Sequence, residues 1–430
     1  MPKKSSFPGI FWIANIIEIF ERFAYYGIYM GFGIYVTNTL GFSENELGNI
    51  QRWFLVISYT IPFIAGTFAD KYGFKKVMLV SYLTYLPSVL LLLITKTYSG
   101  VAFTMMCIAF AAGIFKPLVS GTIRVVTDQS NKTMGFGIFY LMVNFGASFG
   151  PLIAGKLRLI SWNYAFIAGA IAIFIMFLIT LFFYKEPPRD IEGISLSNKL
   201  RDIWTALSDV KFSIFLILLG FFFWTPYWSF FNLLAMYIDN SLDTAILYQK
   251  ISNVLGVFFT NIISGTDKGT GVSRILGESI AHTGFIIIIF QFFVSKITQK
   301  TKPIPTFLFG IFIAVIGFIF LGYSRLTTPV IVFAGIFFIA LGEMVSSPRI
   351  QEYITWLAPK EKAGLYMGAN FLSIGIGGYF SGFYTGYFGN LKNMGHPEYI
   401  WFILGGHCVA GIIILWLYTR ILGNFKENET

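Results

Sequence analysis

The chain has 430 residues, of which 56% are hydrophobic and only 12% are charged. Soluble domains carry about 25% charged residues, and a globular core of this size could not bury so much apolar surface. These numbers exclude the soluble, disordered, collagen-like and disulfide-scaffold classes, and a mean hydropathy of +0.70 indicates an integral membrane protein. Cys107 and Cys408 both lie in apolar runs, so they predict neither a disulfide framework nor a metal site.

Apolar runs of about 20 residues can cross a bilayer core of about 30 Å as helices. The sequence predicts twelve such spans, which are 9–37, 47–69, 76–95, 101–126, 134–156, 161–184, 212–238, 274–296, 304–323, 329–355, 363–389 and 398–421. The first span is far too long for the core of a signal peptide, so we expect no cleavage. The predicted class is therefore an all-α integral membrane protein.

The distribution of basic residues predicts the orientation. With the N-terminus inside, the cytoplasmic loops carry roughly twice as many Lys and Arg residues as the external loops, which is the positive-inside bias. This bias accounts for the net charge of +10, so no nucleic-acid partner is expected. Both ends of the chain are predicted to be cytoplasmic, and the expected location is the plasma membrane, which is the inner membrane in a bacterium.

Two segments interrupt the series of spans. Residues 185–211 form a charged cytoplasmic linker between an N-terminal six-helix half, 1–184, and a C-terminal half, 212–430. Residues 239–273 form a long external connection, whose apolar piece 254–263 either lies on the membrane surface or extends the seventh helix. The glycine-rich end of this connection resembles a phosphate-binding loop only superficially, because a preceding strand and the Gly-Lys-Ser/Thr order are both lacking. A weak repetition between the two halves is typical of transporters.

The loop between the second and third spans contains Gly66, Asp70, Gly73, Lys75 and Lys76. Glycines permit a tight reversal at the membrane face, and Asp70 can pair with a nearby base or a helix N-terminus. The full pattern, Gly-x-x-x-Asp-x-x-Gly-x-Lys-Lys, resembles the signature loop of the major facilitator superfamily. This resemblance implies the fold of that superfamily and a role in conformational change; the alternative is an ordinary positive-inside loop.

Three charges lie inside the first span, where a charge is costly and by default functional. Glu18, Glu21 and Arg22 are three and four residues apart, so they share one helix face. Two carboxylates beside one guanidinium are not both ionised cheaply in a low dielectric, so one is expected to bind and release a proton. The alternative, a structural ion pair, leaves the second carboxylate unexplained.

Two further charges are isolated in sequence. Lys116 in the fourth span has no acid within four residues, and Glu343 in the tenth has no base. Both are expected to face a wet cavity or a group on another helix. Opposite charges, one in each half, suit a zwitterionic solute or a charge pair that links the halves. Arg349 and Glu352, near the cytoplasmic end of the tenth span, are expected to form a structural pair.

Four segments resemble the proton-dependent oligopeptide transporter family. They are Glu18-x-x-Glu21-Arg22-Phe23, Phe115-Lys116-Pro117, Phe139-Tyr140-Leu141-Met142-Val143-Asn144-Phe145-Gly146, and Gly342-Glu343 with Leu357-Ala358-Pro359-Lys360. The resemblance implies that proton coupling involves Glu18, Glu21, Arg22 and Lys116. It implies that Arg22 and Lys116 recognise a peptide carboxylate, that Glu343 receives the amino group, and that Tyr26, Tyr59 and Asn144 line the pocket.

The implied function is proton-coupled import of di- or tripeptides, or of peptide-like zwitterions, by alternating access. The proton is the coupling ion, and no other cofactor, metal or catalytic residue is expected. The expected partners are a small solute and the lipid bilayer, and the chain is expected to be a monomer.

The second half departs from the family pattern. Trp228 stands where the family usually has a glutamate, Asn370 where it often has a tryptophan, and His282 near an expected Asn-Pro. We predict that these residues and Tyr227 contact substrate; the alternatives are core packing for the aromatic residues and a proton site or packing for His282. The departures favour an alternative function, a transporter of the same fold that moves another amphiphilic solute or drug, as importer or exporter. A receptor or scaffold would leave the buried charges without use, and no enzyme motif is present.

Glycines at small-x-x-x-small spacing occur twice, at Gly146/Gly150 and at Gly378/Gly382/Gly386. This spacing lets two helix backbones approach closely. We expect contact between helices within the fold rather than dimerisation.

Overall fold

A computed structural model describes residues 7–128, 131–188, 201, 204–205, 207–267, 269–357 and 363–422. Over these ranges the chain is almost entirely helical, and helices cover each of the twelve predicted spans. The described helices before the linker are α1 (Gly9–Ile34), which continues into a π-helical turn (Tyr35–Thr39), α2 (Glu44–Tyr72), α3 (Phe74–Leu91), α4 (Tyr98–Val126), α5 (Lys132–Arg158) and α6 (Trp162–Phe182). The linker residues 189–200 and the segment Ala358-Pro359-Lys360 lie outside the described residues.

After the linker several helices are shorter, and the series is interrupted by a π turn and two short strands. Its described elements are α7 (Val210–Leu219), α8 (Thr225–Ser241), α9 (Thr244–Leu255), α10 (Val257–Ile263), β1 (Ser264–Thr266), β2 (Ser273–Ile275), α11 (Gly277–Ile280), α12 (Gly284–Thr298), α13 (Pro303–Gly322), α14 (Ile331–Leu357), α15 (Ala363–Asn393) and α16 (Tyr399–Ile421). Ten described helices are long and apolar enough to cross a membrane. The predicted all-α membrane architecture is confirmed. Of the two remaining predicted spans, the first corresponds to α1, which carries three charges, and the eleventh to the glycine- and tyrosine-rich α15.

The seventh predicted span widens into a π-helical turn, Gly220–Trp224, between α7 and α8. Pro226 in the first turn of α8 has no N–H to donate and its ring crowds the preceding carbonyls. The Thr225 hydroxyl donates to the Gly220 carbonyl at 3.2 Å, which compensates in part. Single π turns are frequent at functional sites.

The eighth span is broken. The one-turn helix α11 ends at Ile280, and α12 begins at Gly284, so Ala281, His282 and Thr283 form a non-helical break. Irregular backbone at membrane depth is tolerated where it is buried in protein or lines a cavity. Here all three residues of the break are buried.

The described part of the connection 239–273 folds as two short helices and a β-hairpin. α8 ends at Ser241, so the apolar piece 254–263 does not extend the seventh helix. A strand does precede the glycine-rich loop, contrary to expectation, but β1 pairs antiparallel with β2 in the register Gly265↔Arg274. The turn is closed by Asp267, whose carboxylate accepts from the backbone N–H groups of Gly269 and Thr270, and these bonds lower the pKa of that carboxyl. The loop is therefore a β-hairpin turn and lacks the strand-to-helix geometry of a phosphate loop.

The chain divides into two compact units, Met1–Gly31 with Ile57–Leu200, and Phe32–Val56 with Arg201–Thr430. In the first unit α3 packs on α4 and α6, and in the second α14 packs on α13. These boundaries place residues 32–56 with the second unit, whereas the predicted division assigns them to the N-terminal half. The division at 184 and 212 stays a prediction.

Close packing explains why residues 32–56 belong to the second unit. A Cβ on Gly382 would meet the Gly48 carbonyl and would lie 2.8 Å from the Arg52 Cβ. Lys392, in the last turn of α15, donates to Glu44, the first residue of α2, at 2.8 Å. The expectation that these glycines mediate helix contact within the fold is confirmed.

Candidate functional site

The three charges of α1 form a buried cluster in the first unit. The Arg22 Nε donates to Glu18 Oε1 at 2.7 Å and lies 2.9 Å from Glu21 Oε2. Glu18, Glu21 and Arg22 are all buried, with Glu21 at 0% exposure. The predicted helix face is thus a compact group of two acids and one base in a low dielectric, where ionisation of both acids is costly.

Lys116 of α4 joins this unit as a second buried cation. Its Nζ lies 4.3 Å from the Tyr25 ring centroid and 4.9 Å from the Tyr59 ring centroid. Among the described residues this ammonium makes no hydrogen bond and no ion pair within 4 Å. Aromatic faces stabilise a cation but satisfy none of its three N–H donors. Lys116 is therefore able to receive an anion.

Glycines on α5 allow this helix to pack closely against α1, beside its charged residues. A Cβ on Gly146 would meet the Ile19 carbonyl and would lie 2.7 Å from the Arg22 Cβ, and a Cβ on Gly150 would meet the Phe23 carbonyl. Only hydrogen fits at these two positions. The predicted Gly146/Gly150 contact is thus confirmed as packing inside the fold, directly behind the Arg22 side chain.

The remaining predicted residues of the first unit lie on α1, α2 and α5. Tyr26 is half-buried and its ring meets the Tyr25 ring edge-on, with centroids 5.1 Å apart. Tyr59 is buried against Lys116. Asn144 is buried and its amide donates to the Tyr140 carbonyl one turn earlier, at 2.9 Å. The structure thus brings Tyr59 to the cluster, while this bond occupies one donor of Asn144.

In the second unit Glu343 meets the broken eighth helix. The Thr283 hydroxyl donates to Glu343 Oε2 at 2.9 Å, and no described base lies within 4 Å of the carboxylate. His282 is buried in the same break, and neither ring nitrogen makes a hydrogen bond of good geometry among the described residues. A carboxylate with one hydroxyl donor and no counter-ion is suited to a cationic group or a proton.

The other predicted residues of the second unit lie on the seventh, tenth and eleventh spans. Tyr227 and Trp228 are both buried on α8, with Tyr227 packed on Phe223 at 4.8 Å between centroids. The Tyr227 hydroxyl makes no hydrogen bond among the described residues. Asn370 on α15 is buried and its amide oxygen accepts from the Ser373 hydroxyl at 2.9 Å. Arg349 and Glu352 form the expected pair, at 2.5 Å.

The signature loop is fastened by a residue that the sequence analysis places only in the charged linker. Gly73 precedes α3 with φ +103°, a conformation that favours glycine. The N-terminus of α3 is capped by Glu186, whose carboxylate oxygens accept from the backbone N–H groups of Phe74 and Lys75, both at 2.8 Å. Asp70, for which the sequence left a nearby base or a helix N-terminus as partner, is half-buried two residues before the end of α2. A carboxylate immediately after the sixth span is the only sequence signal for this contact.

A second contact missed from sequence involves His407 on α16. Its Nε2 donates to the Phe221 carbonyl inside the π turn at 2.8 Å, so its Nδ1 accepts from the Tyr384 hydroxyl at 2.6 Å. The imidazole thereby joins the seventh, eleventh and twelfth spans and satisfies a π-turn carbonyl. No neighbouring residue in the sequence indicates this bridge.

An open cavity of about 440 Å³ lies in the second unit, at the connection 239–273 and the turn after α13. It is lined by residues that include Asp243, Asp267 and Arg274. None of the predicted site residues lines it, and its carboxylates already accept backbone hydrogen bonds. We therefore place the candidate site at the buried charges and not at this cavity.

Buried charges on membrane-spanning helices are typical of proteins that move solutes or ions. The chain matches the family model of the Major Facilitator Superfamily over residues 12–382. It therefore belongs to the Major Facilitator Superfamily, and it is a membrane transport protein rather than an enzyme. The fold implied by the signature loop is confirmed.

The chain is similar to three bacterial transporters. It is 25% identical to the MFS-type transporter YttB of Bacillus subtilis over 341 residues, which are 78% of this chain and 77% of that protein. It is 21% identical to the quinolone resistance protein NorA of Staphylococcus aureus over 410 residues, 94% of this chain and 96% of NorA. It is 26% identical to dipeptide and tripeptide permease A of Escherichia coli over 176 residues, which are 39% of this chain and 35% of the permease.

Solved structures of the same fold include a POT family transporter in complex with 5-aminolevulinic acid. That structure has a TM-score of 0.76 at 18% identity and covers 98% of both chains. The nucleoside transporter NupG has a TM-score of 0.70 at 13% identity, over 95% of this chain and 100% of that one. At these identities the likeness is one of fold.

Proposed function

We propose that the protein is a proton-coupled secondary transporter that imports di- or tripeptides or peptide-like zwitterions. The observation that carries this proposal is the buried group of two acids and two bases in the first unit, in which Lys116 has no carboxylate of a described residue within 4 Å. The fold likeness to POT family structures and the partial similarity to a dipeptide and tripeptide permease support it.

The charge balance of this group explains how a proton and an anion would be coupled. With Glu18 and Glu21 ionised, the formal charges of the two acids cancel those of Arg22 and Lys116. Protonation of one acid leaves a net charge of +1 in a low dielectric, which favours binding of a substrate carboxylate. By linkage the bound carboxylate favours the proton to the same degree. Proton and substrate would therefore load together.

Glu343 is the group we propose for the amino end of the cargo. The Thr283 hydroxyl holds one of its oxygens at 2.9 Å, so the carboxylate is oriented without being neutralised by a described base. An ammonium group would supply the missing charge and up to three N–H donors. His282 and Tyr227, whose polar side-chain atoms lack hydrogen bonds among the described residues, would contact the rest of the solute.

The remaining parts of the proposal follow the superfamily and the charge distribution. We place the protein in the plasma membrane, as a monomer, with both chain ends in the cytoplasm. The proton is the coupling ion, and we propose no further cofactor.

A second candidate is a transporter of the same fold that carries an apolar-bodied drug or other amphiphile, as importer or exporter. The aromatic residues Tyr227 and Trp228, both buried on α8, favour it, because an aromatic wall binds apolar surface better than peptide amides. The similarity to NorA over 94% of this chain also supports it.

Reconstituted liposomes with an imposed pH gradient test both candidates. Dialanine, 5-aminolevulinic acid and a quinolone are offered separately at an acidic outer pH. We expect both zwitterions to accumulate against their gradients and to stop doing so when a protonophore collapses the pH difference. Movement of the quinolone alone would replace the proposal by the second candidate, and no movement of any solute would contradict both.

A further inference from the structure

The external connection carries an exposed apolar elbow, formed by Val254, Leu255, Gly256, Val257, Phe258 and Phe259 at the junction of α9 and α10. Val254 is 81% exposed, Phe258 77% and Phe259 60%. Five consecutive large or medium apolar side chains around one glycine would present a contiguous apolar surface to water, which soluble surfaces rarely do. We therefore expect a lipid or another protein surface to cover these side chains.

The conformation of the elbow is fixed by hydrogen bonds and by burial of part of α9. Gly256 turns the chain with φ +80°, a conformation that favours glycine, and its N–H donates to the Ser252 carbonyl. The middle of α9 is buried through Leu247 and Ile251, whereas its last two residues, Val254 and Leu255, are exposed. The Tyr248 hydroxyl of α9 donates to Asn261 Oδ1 of α10 at 3.0 Å. The helix pair α9–α10 is thus anchored by the buried middle of α9 and leaves the elbow at their junction exposed.

The base of the connection places the elbow near the end of α8. The Gly277 N–H donates to Asp239 Oδ1 at 2.9 Å. This bond brings the end of the seventh span next to the start of the eighth, so the two ends of the connection lie together. Only Leu242 and Asp243 separate α8 from α9. A 12-residue helix is about 18 Å long at 1.5 Å per residue. The elbow therefore lies within roughly one helix length of the end of α8.

We propose that this elbow is seated in the lipid interface of the leaflet at which α8 ends, as an anchor that binds anionic headgroups. Its side chains are as exposed as Phe292 and Phe293 on the membrane-spanning α12, at 73% and 60%. Apolar and aromatic residues flanked by a basic residue are typical of helices that lie in the interface. The elbow matches this pattern in a chain that is already in the bilayer.

Charge supports a lipid over a second copy of the chain. Lys250 is exposed and precedes Val254 by four residues, so both lie on one face of α9. Its long side chain can follow the apolar surface and place the ammonium at a headgroup phosphate. No acidic residue occurs between Thr244 and Ser264, so nothing in this segment repels an anionic lipid, whereas a symmetric contact would bring two Lys250 side chains together.

Fluorescence of a labelled elbow in nanodiscs tests the proposal. Phe258→Cys and a matched control at the tip of the β-hairpin, Thr270→Cys, are made in a Cys107→Ala/Cys408→Ala background and labelled with the fluorophore NBD. Both side chains are exposed, so neither change removes packing. We expect blue-shifted emission at Phe258→Cys, with more than about twofold stronger quenching by lipids that carry a nitroxide near the headgroup, and water-like emission at Thr270→Cys.

A separate variant tests whether Lys250 recognises anionic headgroups. Lys250→Glu is expected to lower the quenching at Phe258→Cys in phosphatidylglycerol nanodiscs but not in phosphatidylcholine nanodiscs. Equal quenching in both lipids would overturn anionic recognition. Water-like emission at Phe258→Cys in every lipid would overturn the anchor itself. Blue-shifted emission that no lipid quencher reduces, seen only in discs that hold two protein copies, would replace the lipid by a second chain.

Discussion

Glu18 and Glu21 differ in their contacts although both lie beside Arg22. Glu18 Oε1 accepts a hydrogen bond from the guanidinium, whereas neither oxygen of Glu21 makes a hydrogen bond of good geometry among the described residues. Hydrogen bonding to the charged form favours that form. Glu18 is therefore the carboxylate that holds Arg22, and we predict that Glu21 is the residue that carries the proton.

Replacement of Glu21 tests its assignment as proton carrier. Glu21→Gln preserves shape and removes the titratable group, so it should abolish accumulation driven by a pH gradient while exchange of labelled for unlabelled solute continues. The measurement is uptake and counterflow in the same liposomes. The control is Asp267→Asn on the exposed hairpin, which should accumulate solute normally. Gradient-driven accumulation by Glu21→Gln would contradict the assignment.

The two isolated charges allow a test of a zwitterionic cargo. Lys116→Ala and Glu343→Ala should each weaken solute binding at least tenfold, a loss of about 1.4 kcal/mol. Thr283→Val is the matched change beside Glu343; it removes only the hydroxyl that orients the carboxylate at 2.9 Å and should cost less than Glu343→Ala. Binding is measured by titration calorimetry. Unchanged affinity in Glu343→Ala would show that no amino group of the cargo reaches this residue.

At the scale of elements, the seventh span combines a π turn with a buried aromatic wall. The π turn Gly220–Trp224 is held by His407 and lies directly before Tyr227 and Trp228. An apolar wall cannot satisfy peptide amides, and each amide buried without a hydrogen bond costs on the order of 1–3 kcal/mol. We therefore predict that cargo with a bulky apolar body is preferred.

Trp228→Ala tests this preference. The substitution should weaken binding of a dipeptide with aromatic side chains more than binding of dialanine, measured at one fixed pH. The matched control is Phe309→Ala, an exposed phenylalanine on α13, which should not change the ratio of the two affinities. An equal loss for both dipeptides in Trp228→Ala would show that Trp228 packs the helix and does not select cargo.

The contact of α5 with α1 is a second property of elements. A Cβ on Gly146 would lie 2.7 Å from the Arg22 Cβ, whereas a Cβ on Gly137, on the same helix, meets nothing within 4 Å. Gly146→Ala should therefore lower the stability by about 1–3 kcal/mol through overpacking. Gly137→Ala should leave stability unchanged or raise it by up to about 1 kcal/mol, because alanine favours the helix.

Thermal unfolding of both variants in the same detergent checks this prediction. A lower Tm for Gly146→Ala and an equal or higher Tm for Gly137→Ala are expected. Equal Tm values would show that α5 moves away from α1 without cost.

At the scale of the whole molecule, the basic residues predict which face of the membrane each loop occupies. In a Cys107→Ala/Cys408→Ala background, Thr270→Cys should react on intact cells with a membrane-impermeant maleimide. Lys300→Cys, between the eighth and ninth spans, should react only after the membrane is permeabilised. Both positions are exposed, so reactivity reports the side of the membrane. The reverse pattern would invert the predicted topology.

The positions of the spans could be predicted from sequence because an apolar length of about 20 residues is a local property imposed by the bilayer. The same holds for the cluster of Glu18, Glu21 and Arg22, whose spacing on one helix places them on one face. Arg349 and Glu352 were predictable for that reason too.

Contacts between distant parts of the chain were decided only by the tertiary structure. Thr283 beside Glu343, His407 on the π turn and Glu186 on α3 join residues separated by 60, 186 and 112 positions. Hydropathy and helix periodicity describe how one segment meets its solvent, and they are nearly the same for every apolar helix. Which helix faces meet depends on side-chain packing and on the need to satisfy each buried polar group, and those are properties of the folded chain.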